Sequence, residues 1–190
     1  MNIANAITLT RLLSVPIFVW LVLLDMIGAA FWLFLAAAIS DAVDGIIAKK
    51  FNMQTNLGSY LDPLADKTLL VVAYIVLGSK GLLPAWLVIT VVSRDALIVG
   101  GALLFDKLTG DLNMEPLKIS KLNTVVQLLL ILSILAPAAF ALHHEAIVTL
   151  LSFAVMLTTL ASGAAYVYIW THRAHVFEHA SKSDQREEEP

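Results

Sequence analysis

The sequence predicts an all-α integral membrane protein of six transmembrane helices with a polar, metal-lined cavity at the cytoplasmic side. Three observations carry that expectation. The 190 residues are 59% hydrophobic and 14% charged, far from the soluble average of roughly 45–50% and about 25%. The apolar residues gather into six runs near the ~20 residues that cross about 30 Å of hydrocarbon. Four aspartates stand at the adjoining ends of two of those runs.

The runs follow one another with short polar breaks. The first covers residues 8–24 and stops at Asp25; the second covers 27–49, before the polar stretch 51–60. The third, 62–79, ends at Lys80-Gly81, and the fourth, 84–106, gives way to the polar stretch 106–118. The fifth, 119–142, is closed by His143, His144 and Glu145, and the sixth covers 146–171. Pro16 and Pro137 fall inside runs, where neighbouring helices re-satisfy freed backbone groups, so kinks are expected there and not boundaries. The first basic residue is Arg11, and the apolar run after it is too long for the core of a cleavable signal, so the first helix is expected to be retained. Residues 1–175 are read as one membrane domain and 176–190 as a polar, disordered tail. No repeat of fixed period is found.

Charge sets the topology and removes some functions. Six spans return the chain to its starting side. That groups Lys49, Lys50, Lys107, Lys118, Lys121, Arg173, Lys182 and Arg186 with the N-terminus and leaves Lys80 opposite. By the positive-inside rule both termini are cytoplasmic, and the expected setting is a bacterial inner membrane. A net charge of -3 with no basic stripe disfavours nucleic acid as a partner. With no cysteine, neither a thiolate metal site nor a cysteine nucleophile is available. The five histidines lie in the loop at 143–144 and past the sixth span, and are read as solvated interfacial residues.

The carboxylates are the costly feature. Asp41 and Asp44 are three residues apart and Asp62 and Asp66 four apart, so each pair shares a helix face. The short connection between spans 2 and 3 makes those helices antiparallel neighbours, and four carboxylates then converge. A carboxylate in a membrane costs about 2.5–3.5 kcal/mol on insertion scales, and two of them ~5 Å apart repel by roughly 3 kcal/mol at intermediate dielectric. Two hard divalent cations would cancel this charge, and oxygen-only ligation selects Mg²⁺, Mn²⁺ or Ca²⁺ over zinc. Paired cations suit in-line displacement at phosphorus. Simpler roles exist for each residue alone. Asp62 before Pro63 is a plausible helix N-cap, and Asp41 and Asp44 are within reach of pairing with Lys49 and Lys50. A cation transporter would also carry acids on packed helices, although near the midplane and not at one interface.

Asp41, Asp44, Gly45, Ala48, Lys49, Gly58, Asp62 and Asp66 resemble the signature of the CDP-alcohol phosphatidyltransferases, with seven of the eight positions agreeing. The departure is Lys49, where the family usually has arginine; lysine keeps the charge without the planar fork, so no bidentate phosphate contact is carried over. The resemblance implies six transmembrane helices, a homodimer, and two bound divalent cations, Mg²⁺ or Mn²⁺. It implies that Asp41, Asp44 and Asp62 are metal ligands and that Asp66 is both a ligand and the general base, a division that suits a base facing the incoming alcohol. It also implies that Asp44, Gly45, Ala48, Lys49 and Gly58 meet the cytidine diphosphate of CDP-diacylglycerol. Close helix packing is the other use of such small residues. Asn5 and Thr8, with Arg11, are similar to the family's lead-in to helix 1, with Ala4 in place of its usual proline, and plausibly line the nucleotide pocket. An interfacial segment anchored by Arg11 is the alternative.

The acceptor alcohol is read from spans 4 and 5. Arg94 and Asp95 fall within span 4, where an ionisable residue marks function by default. With Lys118 and Lys121 at the start of span 5, Arg94 suggests a basic pocket for a phosphate-bearing acceptor. Pairing with Asp95 and a topological anchor are the alternatives. Ser93-Arg94-Asp95, Pro116, the run Ile119-Ser120-Lys121-Leu122-Asn123-Thr124 and Gln127 look like the cardiolipin synthase branch, in which the acceptor is phosphatidylglycerol. The phosphatidylglycerophosphate synthases, acting on sn-glycerol 3-phosphate, tend to carry glutamate at the position of Asp95 and lysine at that of Asn123. The expected products are cardiolipin and CMP.

Overall fold

In a computed structural model the chain is helical apart from short turns over its described residues: backbone 3–51, 58–109, 117–140 and 145–187, with side chains at 10, 12–40, 67–101, 117–140 and 145–171. The helices are α1 (Ile3–Leu23), α2 (Ile27–Phe51), α3 (Gly58–Ser79), α4 (Ala85–Thr109), α5 (Lys118–Phe140) and α6 (Glu145–Glu187). They match the six runs in order, and Pro16 and Pro137 lie inside α1 and α5 as expected. α6 differs from expectation. The chain from 176 was expected to be a disordered tail, but the helix continues to Glu187. No glycine or proline falls between Gly163 and Pro190, so nothing in the backbone stops the helix.

Neighbour relations close the helices into a ring of order α1, α2, α5, α6, α4, α3, with α3 also touching α5 across the middle. α1 packs against both α2 and α3, and so lies between the two helices that carry the aspartates. The pairing of the ends of α2 and α3 that their short connection implies lies outside the described residues. At the far end, Lys80 Nζ donates to Asp25 Oδ1 at 2.6 Å and to the Leu23 carbonyl at 3.3 Å. The clamp joins the turn after α1 to the end of α3 and caps the last carbonyls of α1. Asp25 holds a left-handed backbone conformation, φ 58°, at this helix stop.

The core follows from size and shape. Phe18, Val22, Phe34, Tyr74, Leu77, Leu87, Leu130, Ile131 and Leu135 are completely buried or nearly so. Phe18 and Phe34 meet with ring centroids 5.6 Å apart. The outside is apolar too: Trp20, Trp32, Ile89, Leu129, Leu150, Leu157 and Tyr168 are exposed on α1, α2, α4, α5 and α6. Helices apolar all round belong in a lipid solvent or a very large core. By length and composition, Lys118–Phe140 and Glu145–Thr171 suffice to cross a membrane, with shorter apolar stretches at Leu12–Leu23, Ile27–Ser40 and Lys67–Ser79 among the described residues.

Candidate active site

α2 carries Asp41, Asp44, Gly45, Ala48 and Lys49 in its last three turns or so; Gly58, Asp62 and Asp66 lie in the first turns of α3, and Asn5 and Thr8 in the first turns of α1. The helical backbone therefore keeps each aspartate pair at one-turn spacing. The side chains of all ten, and the metal-lined cavity expected between them, lie outside the described residues. The donor set itself fits hard divalent cations: four carboxylates, with no cysteine thiolate in the chain.

One residue beyond Asp66 the described site begins. Lys67 on α3, a third exposed, lies 3.9 Å from Asp95 Oδ1 on α4. Asp95 and Arg94 are both buried, and Arg94 Nη1 donates to Asp95 Oδ1 at 2.5 Å. Arg94 Nη2 donates to Ser120 Oγ of α5 at 2.8 Å and to Ser162 Oγ of α6. One guanidinium thus ties three helices together. Breaking such a buried arrangement by removing one charge typically costs about 3–5 kcal/mol, because the other charge is left unpaired.

A second polar layer adjoins the first. On α5 the buried Asn123 carbonyl oxygen accepts from Thr158 Oγ1 at 2.8 Å and Thr159 Oγ1 at 2.9 Å, both on α6. Ser162 is one turn along α6 from these threonines, so the two layers share a helix face. Four residues beyond Asn123, the backbone carbonyl of Gln127 accepts from the Tyr74 hydroxyl of α3 at 3.4 Å.

Of the acceptor residues expected from sequence, the structure brings Arg94 against Ser120, next in sequence to Lys121. Lys121 and Lys118 are exposed at the start of α5. Arg94 is engaged by Asp95, the alternative pairing raised above, and by the two serines. Sequence reasoning missed Lys67, Thr158, Thr159 and Ser162. A signal for the last three was present: hydroxyls at one-turn spacing within an otherwise apolar run mark an interhelical face.

A ring of helices with an apolar outer surface and a polar layer buried among them has the character of a membrane protein. A family model for CDP-alcohol phosphatidyltransferases matches residues 1–171. The chain belongs to this family of integral membrane enzymes of phospholipid biosynthesis. It is 34% identical over 180 residues to a cardiolipin synthase (CMP-forming)/mitochondrial hydrolase fusion protein of Schizosaccharomyces pombe, covering 87% of this chain and 30% of that protein. It is also 34% identical over 184 residues to the chloroplastic CDP-diacylglycerol–glycerol-3-phosphate 3-phosphatidyltransferase 1 of Oryza sativa subsp. japonica, covering 87% of this chain and 56% of that one. With the CDP-diacylglycerol–glycerol-3-phosphate 3-phosphatidyltransferase of Bacillus subtilis it shares 35% identity over 158 residues, 75% of this chain and 78% of that one. The chain spans less than two thirds of the length of the first two relatives.

Proposed function

We propose that this enzyme transfers the phosphatidyl group of CDP-diacylglycerol to phosphatidylglycerol, giving cardiolipin and CMP. The observation that carries the choice of alcohol is the charge of the buried cluster. Arg94 is paired with Asp95, and the buried Asn123 on α5 is neutral where the glycerol-3-phosphate branch tends to carry lysine. One positive charge fewer than with lysine at that position suits a phosphodiester, which bears one negative charge, better than sn-glycerol 3-phosphate, which bears nearly two. The relatives from Oryza sativa and Bacillus subtilis, named for glycerol-3-phosphate transfer, support the second reading, phosphatidylglycerophosphate synthesis.

In this reading Asp41, Asp44, Asp62 and Asp66 hold two divalent cations, Mg²⁺ or Mn²⁺, which supply charge neutralisation at the diphosphate. Asn5, Thr8, Gly45, Ala48, Lys49 and Gly58 receive the cytidine diphosphate, and Arg94, Lys118 and Lys121 receive the acceptor's phosphate. Asp66 takes the proton of the terminal glycerol hydroxyl. The oxygen then forms a bond to the β-phosphorus while the phosphoanhydride bond breaks, and CMP departs with the electron pair. The site and both termini face the cytoplasm of a bacterial inner membrane, and the enzyme is a homodimer, as the resemblance implies. The lysine and arginine distribution, with Lys80 alone at the far clamp, supports the orientation.

The test supplies purified protein, Mg²⁺ and CDP-diacylglycerol with phosphatidylglycerol or sn-glycerol 3-phosphate in turn. Cardiolipin and CMP are expected from the first; phosphatidylglycerophosphate without cardiolipin refutes the choice of alcohol. Asp66→Asn is expected to lower CMP release by 10²-fold or more, the scale of general-base catalysis, and near-normal turnover in that variant would remove Asp66 as the base.

A further inference from the structure

We propose that His175 and His179, one turn apart on the C-terminal extension of α6, form a binding site for a transition-metal cation of the Zn²⁺ type, unlike the four aspartates in its ligand chemistry. The observation that carries this is the helix itself. As a disordered tail the chain from 176 would give its histidines no common face, but α6 runs unbroken from Glu145 to Glu187. At 3.6 residues per turn, His172, His175 and His179 then fall within an arc of about 60°. His175 and His179, four residues apart, stand about 6 Å apart along the axis on one face. His179 is eight residues short of the last residue of α6, so helical backbone flanks the pair on both sides, away from the fraying end.

Two imidazoles four apart on one helix face are how helices with the orders His-Glu-x-x-His and His-x-x-Glu-His hold zinc, and His175-Val176-Phe177-Glu178-His179 has the second order. Imidazole suits zinc, copper and nickel, whereas carboxylates suit magnesium and manganese, so two ligand sets in one chain select different metals. The stretch of α6 sufficient to cross a membrane ends at Thr171, and His175 and His179 follow about 6 and 12 Å further along the axis. That places them past the apolar run, where aqueous cations have access. Solvated imidazoles are largely neutral at pH 7 and keep a lone pair for the metal. Glu178, three residues after His175, brings a negative charge to the same turn and offsets Lys182, three residues after His179. The rival pair is His172 with His175. Residues three apart are offset by about 60° round the axis and residues four apart by about 40°, which favours His175 with His179. His172 is about 10.5 Å from His179 along the axis, too far to share one cation with it, so water fills the remaining coordination positions.

The experiment titrates Zn²⁺ into the full chain in detergent, with Mg²⁺ in large excess and a chromophoric zinc indicator as competitor. One Zn²⁺ per chain is expected near pH 7.5, with tighter binding of Cu²⁺ and loss of zinc near pH 5.5, where protons compete for the imidazoles. His175→Gln and His179→Gln are each expected to weaken zinc about tenfold or more, the scale on which even groups outside the ligand shell act. His172→Gln and Asp41→Asn are expected to leave the affinity unchanged. CMP release in Mg²⁺ alone verifies that each histidine variant is folded. A register variant, His179→Ala with Ala180→His, keeps the number of imidazoles while turning one about 100° round the axis, and is expected to weaken zinc as much as His179→Gln does. Unchanged affinity in that variant overturns a site built on the helix face, and loss in His172→Gln without loss in His179→Gln overturns the pair. Absence of zinc binding under excess Mg²⁺, or binding lost in Asp41→Asn and kept in the histidine variants, overturns the proposal altogether.

Discussion

Arg94 holds the fold together and, under the proposed function, also meets the acceptor's phosphate. Its guanidinium is spent on Asp95, Ser120 and Ser162, so replacing it by leucine leaves Asp95 buried and charged. Arg94→Leu is expected to lose about 3–5 kcal/mol of stability, and Arg94→Leu with Asp95→Leu to regain most of that. Thermal unfolding in detergent reads both, while under the proposed function CMP release should stay low in the double variant because the acceptor loses its cation. At this scale the sequence was informative where a charge stood in an apolar run, since such a charge needs a reason. It was less informative for Ser162, Thr158 and Thr159. A hydroxyl can bond its own helix, as Thr158 does to the Ala154 carbonyl at 2.8 Å, so nothing in the sequence says whether it also serves a neighbour.

Among elements, α4 seats the Trp170 ring of α6 against Gly101. A Cβ built on Gly101 would stand 1.9 Å from the Trp170 ring, which packs against Tyr166 with centroids 5.7 Å apart. Gly101→Ala must expel the indole, and a destabilisation of about 1–3 kcal/mol is expected from overpacking. A change of tryptophan emission should accompany it, and an unchanged Tm would mean that the ring moves aside freely. Helix existence and limits were legible because lipid demands long apolar runs and the breaks are polar. The extent of α6 was not, since an acidic, polar composition argues for a solvated chain whether or not it is helical. The use of Gly101 as a seat for Trp170 was likewise hidden, because closeness of two helices leaves no trace in either one alone.

For the molecule as a whole, the ring order α1, α2, α5, α6, α4, α3 was beyond sequence reasoning. Helices apolar on every side carry no stripe to say which face meets which neighbour, and α1 consequently took a place between α2 and α3 that the short α2–α3 connection did not suggest. The reaction class was legible nonetheless, since the family signature falls within the 1–171 match. Under the proposed function, chelation with EDTA is expected to abolish CMP release and also to lower Tm, because four carboxylates then face one another uncompensated. Added Mg²⁺ or Mn²⁺ should restore both, and a Tm indifferent to chelation would argue against cations at the aspartates.

The ring order also bears on how the chain enters its bilayer. Ribosomes deliver α4 before α5 and α6 exist, so Arg94 arrives without Ser120 or Ser162. Its one available companion within the same helix is Asp95, and their bond at 2.5 Å makes a self-neutralised unit. The side-by-side arginine and aspartate thus give α4 a disguise during insertion, one that presents no net charge to the translocon until the later helices close around it.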